Sequence, residues 1–258
     1  MPELPDLQAF SRNLTKKLKG KTLKEMIVTE GKKLNVSEKE LKDTLEGKEL
    51  EKIVRAGKEL HVLFSGGHSL GLHLMLHGGL SLYKDGDQEP KFRIITLKFD
   101  DGTNLSLTDF QKAATPTLDP KESDVPDALD VTLNYLSEKL GKTKTPVKTV
   151  LMDQKVLRGI GNAYADEILW YAKISPFSAS NKIPADKVEV LAKSIKSVLE
   201  DAEKEILKAN PDIISGEVRD FLIVHQPRKK TTPQGKTILQ KEVSSRKTYY
   251  TDEQELFE

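Results

Sequence analysis

Cysteine is absent from the 258 residues. That absence excludes disulfides, thiolate metal sites, iron–sulfur clusters and cysteine nucleophiles, and leaves five scattered histidines as the only strong nitrogen ligands. No metal and no other cofactor is expected. Long apolar runs are missing too: no stretch approaches the roughly 18 uninterrupted apolar residues of a spanning helix, and MPELPDLQAF lacks the basic-then-apolar build of a secretory signal. The expectation is a soluble, intracellular (cytoplasmic) protein with no membrane partner. Net charge is nearly absent, +1 from 41 basic and 40 acidic side chains. An anionic polymer feels only the local distribution of charge, so that balance decides nothing about nucleic acid. Internal repeats and low-complexity tracts are also lacking. What is there, 37% hydrophobic and 31% charged residues, suffices for one large domain or two ordinary ones.

Leu4, Leu7, Phe10, Leu14 and Leu18 repeat at helical spacing, with Pro5 in the first turn and Gly20 where a C-cap would sit. An amphipathic helix over 4–19 follows. Short strand patterns come next, over 22–28, 49–54, 60–64, 69–76, 80–83, 92–99 and 104–107, punctuated by turn-like GG and DDG segments. Regular strands with few helices predict a β-sandwich or barrel. Residues 115–126 hold three prolines among acidic residues and read as a linker. Helical patterns then cover 129–140, 146–157, 162–173 and 184–209, and strand patterns return at 236–242 and 246–250 as a hairpin. The fold class is α+β in two domains. Residues 1–114 form the helix-led sandwich, 115–127 the linker, 128–224 a mostly helical domain and 225–258 the hairpin. Within that last segment, residues 225–250 carry Arg228, Lys229, Lys230, Lys236, Lys241, Arg246 and Lys247 against Glu242 alone. Such a run is either a solvated surface or a phosphate-contacting arm.

Three segments carry chemistry. At the start, Met1-Pro2-Glu3-Leu4-Pro5-Asp6 can simply pin a helix end. A small penultimate residue, however, allows removal of Met1, leaving Pro2 as a free secondary amine beside the Glu3 carboxylate. An α-amino group titrates near pH 7.7–8, so a neutral fraction is available to attack an electrophilic sugar carbon. In Gln154-Lys155-Val156-Leu157-Arg158-Gly159-Ile160-Gly161-Asn162, a glycine turn joins two helices. Its bland reading is a capped turn; its functional one is a phosphate grip by helix-start amides and the Asn162 side chain. The third segment, Ser245-Arg246-Lys247-Thr248-Tyr249-Tyr250, sits in the basic hairpin.

Together and in this order, PELP, RAGKELHVLF, LMDQKVLRGIGNAYADEILW and SRKTYY resemble the formamidopyrimidine-DNA glycosylase and endonuclease VIII family across essentially the whole chain. The resemblance implies a β-sandwich domain, a helix–two-turn–helix module and a DNA cleft between domains. The activity it implies is that of a bifunctional glycosylase and abasic-site lyase acting as a monomer, its partner double-stranded DNA with oxidised bases or abasic sites. By the same resemblance Pro2 is the Schiff-base nucleophile, Glu3 the acid/base residue, and Lys58 the lysine that reaches a phosphate and assists strand cleavage. Asn162, Gly161 and Lys155 match the helix–two-turn–helix phosphate grip. Arg246, with Lys247 beside it, matches the arginine at the tip of the family's zinc-finger hairpin and belongs with the catalytic set.

Departures from the family pattern are informative. Thr231-Thr232-Pro233-Gln234 and Thr251-Asp252-Glu253-Gln254 lie where bacterial members carry zinc-binding cysteine pairs, so the chain reads as a zincless-finger variant. The hairpin is then expected to pack through Ile238, Leu239, Val243, Tyr249 and Tyr250. Asp6 replaces a more usual glutamate, a change read as minor. The void-filling methionine aligns with Leu76, and Asp-Pro-Arg-Arg-Phe-Gly appears as Asp109-Phe110-Gln111-Lys112-Ala113-Ala114, making Leu76, Phe110 and Gln111 the candidate void fillers. Between Arg219-Asp220-Phe221 and Val224-His225 about a dozen residues are missing that, in purine-lesion members, cover everted 8-oxoguanine. The preference expected is for oxidised pyrimidines and formamidopyrimidines. The rival readings are a catalytically degenerate damaged-DNA-binding protein and, more remotely, a single-strand or RNA-binding protein.

Overall fold

One apolar stripe builds the first helix. Leu4, Leu7, Phe10, Leu14 and Leu18 are all buried on the inner face of α1 (Leu4–Leu18), each contributing about 1.5–3 kcal/mol by burial. The computed structural model describes residues 1–258. Two compact units divide the chain, one of residues 1–122 with 209–217, the other of residues 123–208 with 218–258.

The first unit holds two four-stranded antiparallel sheets. One runs in the order β1 (Leu23–Val28), β6 (Arg93–Phe99), β7 (Thr103–Thr108), β5 (Gly79–Lys84). The other runs β2 (Leu50–Ala56), β3 (Glu59–Phe64), β4 (Ser69–His73), β8 (Thr115–Leu118). Period-2 alternation is cleanest in β3, where Leu60, Val62 and Phe64 point inward. Because β2 is an edge strand, its outward backbone groups need partners, and α1 supplies them. The Thr15 hydroxyl accepts the Ile53 N–H and donates to the Ile53 carbonyl, both at 2.9 Å. The Arg55 Nε–H donates to Gln8 Oε1 at 2.9 Å, and the Gly20 N–H to the Leu50 carbonyl at 2.8 Å.

Two elements escaped the sequence pattern. Helix α2 (Glu38–Leu45), capped by the Ser37 hydroxyl, buries only Leu41 and Leu45 and so shows little periodicity. Strand β8 occupies residues assigned to the linker. Its proline, Pro116, is tolerated because β8 is an edge strand, where a missing N–H leaves no ladder bond unmade. Strand β4 ends at His73 rather than at 76, because residues 75–77 form a turn with Met75 in the left-handed region, φ 56°.

The second unit contains α3 (Leu133–Gly141), α4 (Val147–Met152), α5 (Asn162–Tyr171), α6 (Ala185–Ala209) and the hairpin β9 (Leu239–Val243) with β10 (Arg246–Tyr250). In α6 the expected positions Val188, Leu191, Ile195, Val198, Ala202 and Ile206 are all buried. Helix α4 stops at Met152, five residues short of the sequence reading. Gln154 is the reason: its side-chain amide donates to the carbonyls of Met152 (2.8 Å) and Ile160 (2.9 Å) and accepts the Gly159 N–H (2.9 Å). Helical backbone is thereby replaced with the two turns between α4 and α5. Ser244 and Ser245, both at positive φ (48° and 60°), close the hairpin as the primed two-residue turn that strand twist favours.

Tyr249 packs with Trp170 and Val224, flanked by Ile223 and Ile238, and Tyr250 meets Phe177 edge-on at 4.9 Å. Val243 is buried. Leu239 is not part of this anchor: it is 38% exposed, because the strand presents it to solvent. No helix is long and apolar enough to cross a membrane.

Candidate active site

Strand register gathers the first unit's candidates at one end of a sheet. Ala56 pairs with Glu59 around the turn that carries Lys58, Glu59 pairs with His73, and His73 pairs with Thr115. The Gly57–Lys58 turn, the turn bearing Leu76 and the loop 109–114 therefore leave the sheet at the same end. Gly57 supplies the left-handed φ of 61° that so tight a turn requires. Helix α1 meets the edge strand at Leu50 through Gly20, at Ile53 through Thr15 and at Arg55 through Gln8. Its N-terminus thus points to the end where Lys58 lies. Pro2 and Glu3 come with it.

Pro2 is buried, and Glu3 is only 4% exposed. A reciprocal capping box holds Glu3 at the helix start, with its own N–H donating to Asp6 Oδ2 at 2.8 Å. Asp6, fully buried, is therefore the residue that fixes the Glu3 backbone, a larger role than a minor replacement implies. The Met1 ammonium pairs with Glu217. While Met1 is attached, the Pro2 nitrogen is an amide and has no nucleophilic lone pair. Lys58 is half-buried in its turn.

At the same end of the sheet are exposed apolar side chains. Leu76 is 59% exposed at the head of its turn, and Phe110, 56% exposed, lies against His77 with ring centroids 4.8 Å apart. Gln111 is exposed beside it. The buried Asp109 carboxylate accepts the N–H groups of Gln111 (2.9 Å), Ala113 (2.8 Å) and Ala114 (2.8 Å), so this loop is preorganised. His73 Nδ1 accepts the Met75 N–H at 3.0 Å, which places its proton on Nε2. Burial pushes His73 below the ordinary imidazole pKa, with nearby Glu59 opposing and Lys58 assisting. It is neutral at physiological pH.

In the second unit Gly161 is the extended N-cap of α5. Asn162, the first residue of that helix, donates one amide hydrogen to the Lys247 carbonyl at 2.9 Å. Arg246 and Lys247 are exposed on the hairpin immediately after its turn, and Lys155 is exposed on the first of the two turns, its N–H on Asp153 Oδ1 at 2.9 Å. Asn162 and the Arg246–Lys247 segment are thus joined directly. Lys155 is presented separately.

Where the family's cysteines fall, two hydrogen-bonded turns stand instead. Thr232 Oγ1 accepts the Lys236 N–H at 3.2 Å, and Gln254 Oε1 accepts the Thr251 N–H at 2.8 Å. Neither turn offers a thiolate, so these residues do not fit zinc. What ties the hairpin down is ionic. Lys148 and Asp166, both with fully buried side chains, pair at 2.7 Å and bond to β10. Removing one partner of such a pair costs about 3–5 kcal/mol. Sequence reading passed over both; the available signal was charge inside two otherwise apolar helices, one lysine in VKTVLM and adjacent carboxylates in NAYADEILWY.

Known proteins resemble this chain in both parts. Residues 1–115 match the formamidopyrimidine-DNA glycosylase N-terminal domain, and residues 123–209 match the formamidopyrimidine-DNA glycosylase H2TH domain. The chain belongs to the formamidopyrimidine-DNA glycosylase family. Within this family, the formamidopyrimidine-DNA glycosylase of Lactobacillus johnsonii is 32% identical over 231 residues, 83% of this chain and 84% of that protein. The Lactococcus lactis Fpg in complex with an abasic site containing DNA superposes with a TM-score of 0.87 at 25% identity, covering 97% of this chain and 98% of that one. A second Lactococcus lactis Fpg structure, with an oxidized pyrimidine containing DNA, gives 0.86 at 26% identity over the same shares.

Proposed function

We propose that this family member, a DNA glycosylase of base-excision repair, excises oxidised bases from duplex DNA through a Schiff base at Pro2 and then cleaves the strand as an abasic-site lyase. The observation that carries the reading is that Pro2, Glu3 and Lys58 lie at one end of a sheet, the end from which the turns bearing Leu76 and Phe110 also leave. Once Met1 is removed, the Pro2 nitrogen attacks C1′ of the damaged nucleoside. The C1′–N bond to the base breaks and the base leaves with the amine's proton; the C1′–O4′ bond then opens, its oxygen protonated by Glu3, and an iminium remains. That cation is an electron sink which acidifies the C2′ proton, so the 3′ phosphate is expelled by β-elimination. Glu3 relays protons as the sugar ring opens, and the Lys58 ammonium neutralises phosphate charge beside the lesion. Leu76, Phe110 and Gln111 fill the space left by the flipped nucleotide. Borohydride trapping on an abasic duplex tests the reading, because only a working amine leaves a covalent protein–DNA band. Its absence in Met1-free protein would favour a non-catalytic damage-binding protein, a reading that Gln111 and Ala113 at the wedge positions support.

Arg246, Asn162, Lys155 and Lys58 serve as phosphate contacts. Alanine at any one of them is expected to weaken binding equally across lesion duplexes of different sequence and to lower the salt slope by about one. A sequence-selective loss would remove that residue from the set.

Lesion choice follows from the short segment after Arg219. Glu167 accepts the N–H groups of Ile223 (2.9 Å), Val224 (2.8 Å) and His225 (2.7 Å), tying the chain down directly where other members carry a covering loop. Without enclosure 8-oxoguanine leaves polar edges in water, whereas ring-saturated pyrimidines and formamidopyrimidines stack poorly and are less costly to extrude. Single-turnover rates on a matched panel are expected to favour thymine glycol, dihydrouracil and formamidopyrimidine over 8-oxoguanine opposite cytosine, with little discrimination by opposite base. The reverse order would defeat the argument.

A further inference from the structure

We infer that Lys148 and Asp166 form a positioning pair that fixes the spacing between Asn162 and Arg246, and so lets both engage one DNA strand. The inference rests on the reading of those two residues as phosphate contacts. Lys148 lies in α4 and Asp166 in α5, and both side chains are fully buried. The ammonium reaches Asp166 Oδ1 at 2.7 Å, Thr248 Oγ1 at 2.7 Å and the Lys247 carbonyl at 3.2 Å. The ammonium thus donates hydrogen bonds to Thr248 and Lys247, while the Asp166 carboxylate balances its charge. Asp166 Oδ2 in turn accepts the Tyr249 N–H at 3.0 Å and lies 2.7 Å from His225 Nδ1. The Thr248 hydroxyl passes the connection on by donating to the Arg246 carbonyl at 3.0 Å.

Four consecutive residues, 246–249, are therefore held through backbone or side chain by one ion pair. Asn162 joins the same point, because its amide and the Lys148 ammonium share the Lys247 carbonyl. Apolar packing of Tyr249 and Val243 alone would tolerate sliding, since burial is non-directional. A one-residue slip of β10 would turn Thr248 outward and leave a buried ammonium without its partners, which is prohibitive. The pair thus sets the register of the hairpin against the start of α5 and does by charge what a bound metal does by coordination.

The test is salt-dependent binding of the full chain to a duplex with a tetrahydrofuran abasic analogue, at a temperature well below each variant's melting transition. Arg246→Ala alone is expected to lower the salt slope by about one. In a Thr248→Val background, which keeps the ion pair but removes its link to Arg246, the slope should already be reduced, and adding Arg246→Ala should change nothing more. Lys148→Met should behave likewise, and Thr248→Ser should restore the wild-type slope. Loss of stability alone does not make the two effects non-additive, nor is it reversed by a hydroxyl. A full Arg246→Ala effect in the Thr248→Val background overturns the positioning role while leaving the phosphate contact standing. A silent Arg246→Ala in the otherwise native chain overturns the phosphate reading and the inference with it.

Discussion

Protein that retains Met1 is expected to give no borohydride-trapped adduct on abasic DNA, while binding the same duplex nearly as well as the processed form. The reason lies at a single atom. In the unprocessed chain the Pro2 nitrogen is acylated, and the α-amine is the Met1 ammonium, drawn one residue away onto Glu217. Removing Met1 turns that amide into a secondary amine at the buried helix start. Loss of a covalent nucleophile should lower the single-turnover rate by at least about a thousandfold, or ~4 kcal/mol of transition-state stabilisation. Pro2→Gly is expected likewise to abolish trapping while leaving duplex binding nearly intact, because it removes the secondary amine. Intact mass of each preparation identifies its N-terminus. Undiminished trapping by the Met1-retaining protein would remove Pro2 as nucleophile.

Glu3→Gln is expected to depress base excision by about a hundredfold to ten-thousandfold, the range for loss of a positioned general acid or base. Strand cleavage at a preformed abasic site should fall much less, because that sugar is already in part ring-opened and needs less proton relay. Folding should survive. The substituted glutamine keeps a side-chain oxygen for the first-turn cap, and the Asp6 carboxylate still accepts the backbone N–H at position 3. Comparing a lesion duplex with an abasic duplex by single-turnover kinetics, alongside melting temperature, separates the two roles. Equal loss on both substrates would mean that Glu3 serves mainly to hold the helix start.

Periodicity made α1 and α6 legible, since each buries one stripe whose spacing is visible in the letters. Short strands were legible for the same reason. Strand β8 was not, because Pro116 signals a break locally while its edge position removes the penalty. The end of α4 was hidden as well: nothing in residues 153–157 forbids helix, and it is Gln154, with bonds reaching to Ile160, that makes the turns win. In the site, Pro2, Glu3, Lys58, Asn162 and Arg246 were found through motif order rather than through any property each shows alone. The structure adds that strand register and the direction of α1 bring the first three to one end of a sheet. The bonds made by Asp6 and Asp109, and the pairing of Lys148 with Asp166, were not legible because they depend on partners 2 to 100 positions away, as in the bond from Lys148 to Thr248. Leu239 was misjudged because a hairpin's inward face depends on register, and a strand pattern starting at 236 rather than 239 does not fix it.

The turns at Thr231–Gln234 and Thr251–Gln254, together with the Lys148–Asp166 pair, give this hairpin a different chemical vulnerability from a thiolate-bound one. Peroxide and hypochlorite attack thiolates first, and the sulfenic acid formed releases a bound metal. Here the same oxidants find no sulfur in either turn, and the lysine of the pair is fully buried. Of the three methionines left once Met1 is removed, Met26 is fully buried, Met152 is half-buried and Met75 is 37% exposed on the turn that carries Leu76. Oxidation at sulfur would therefore spare the anchorage of the hairpin and fall first on the turn beside the candidate void filler.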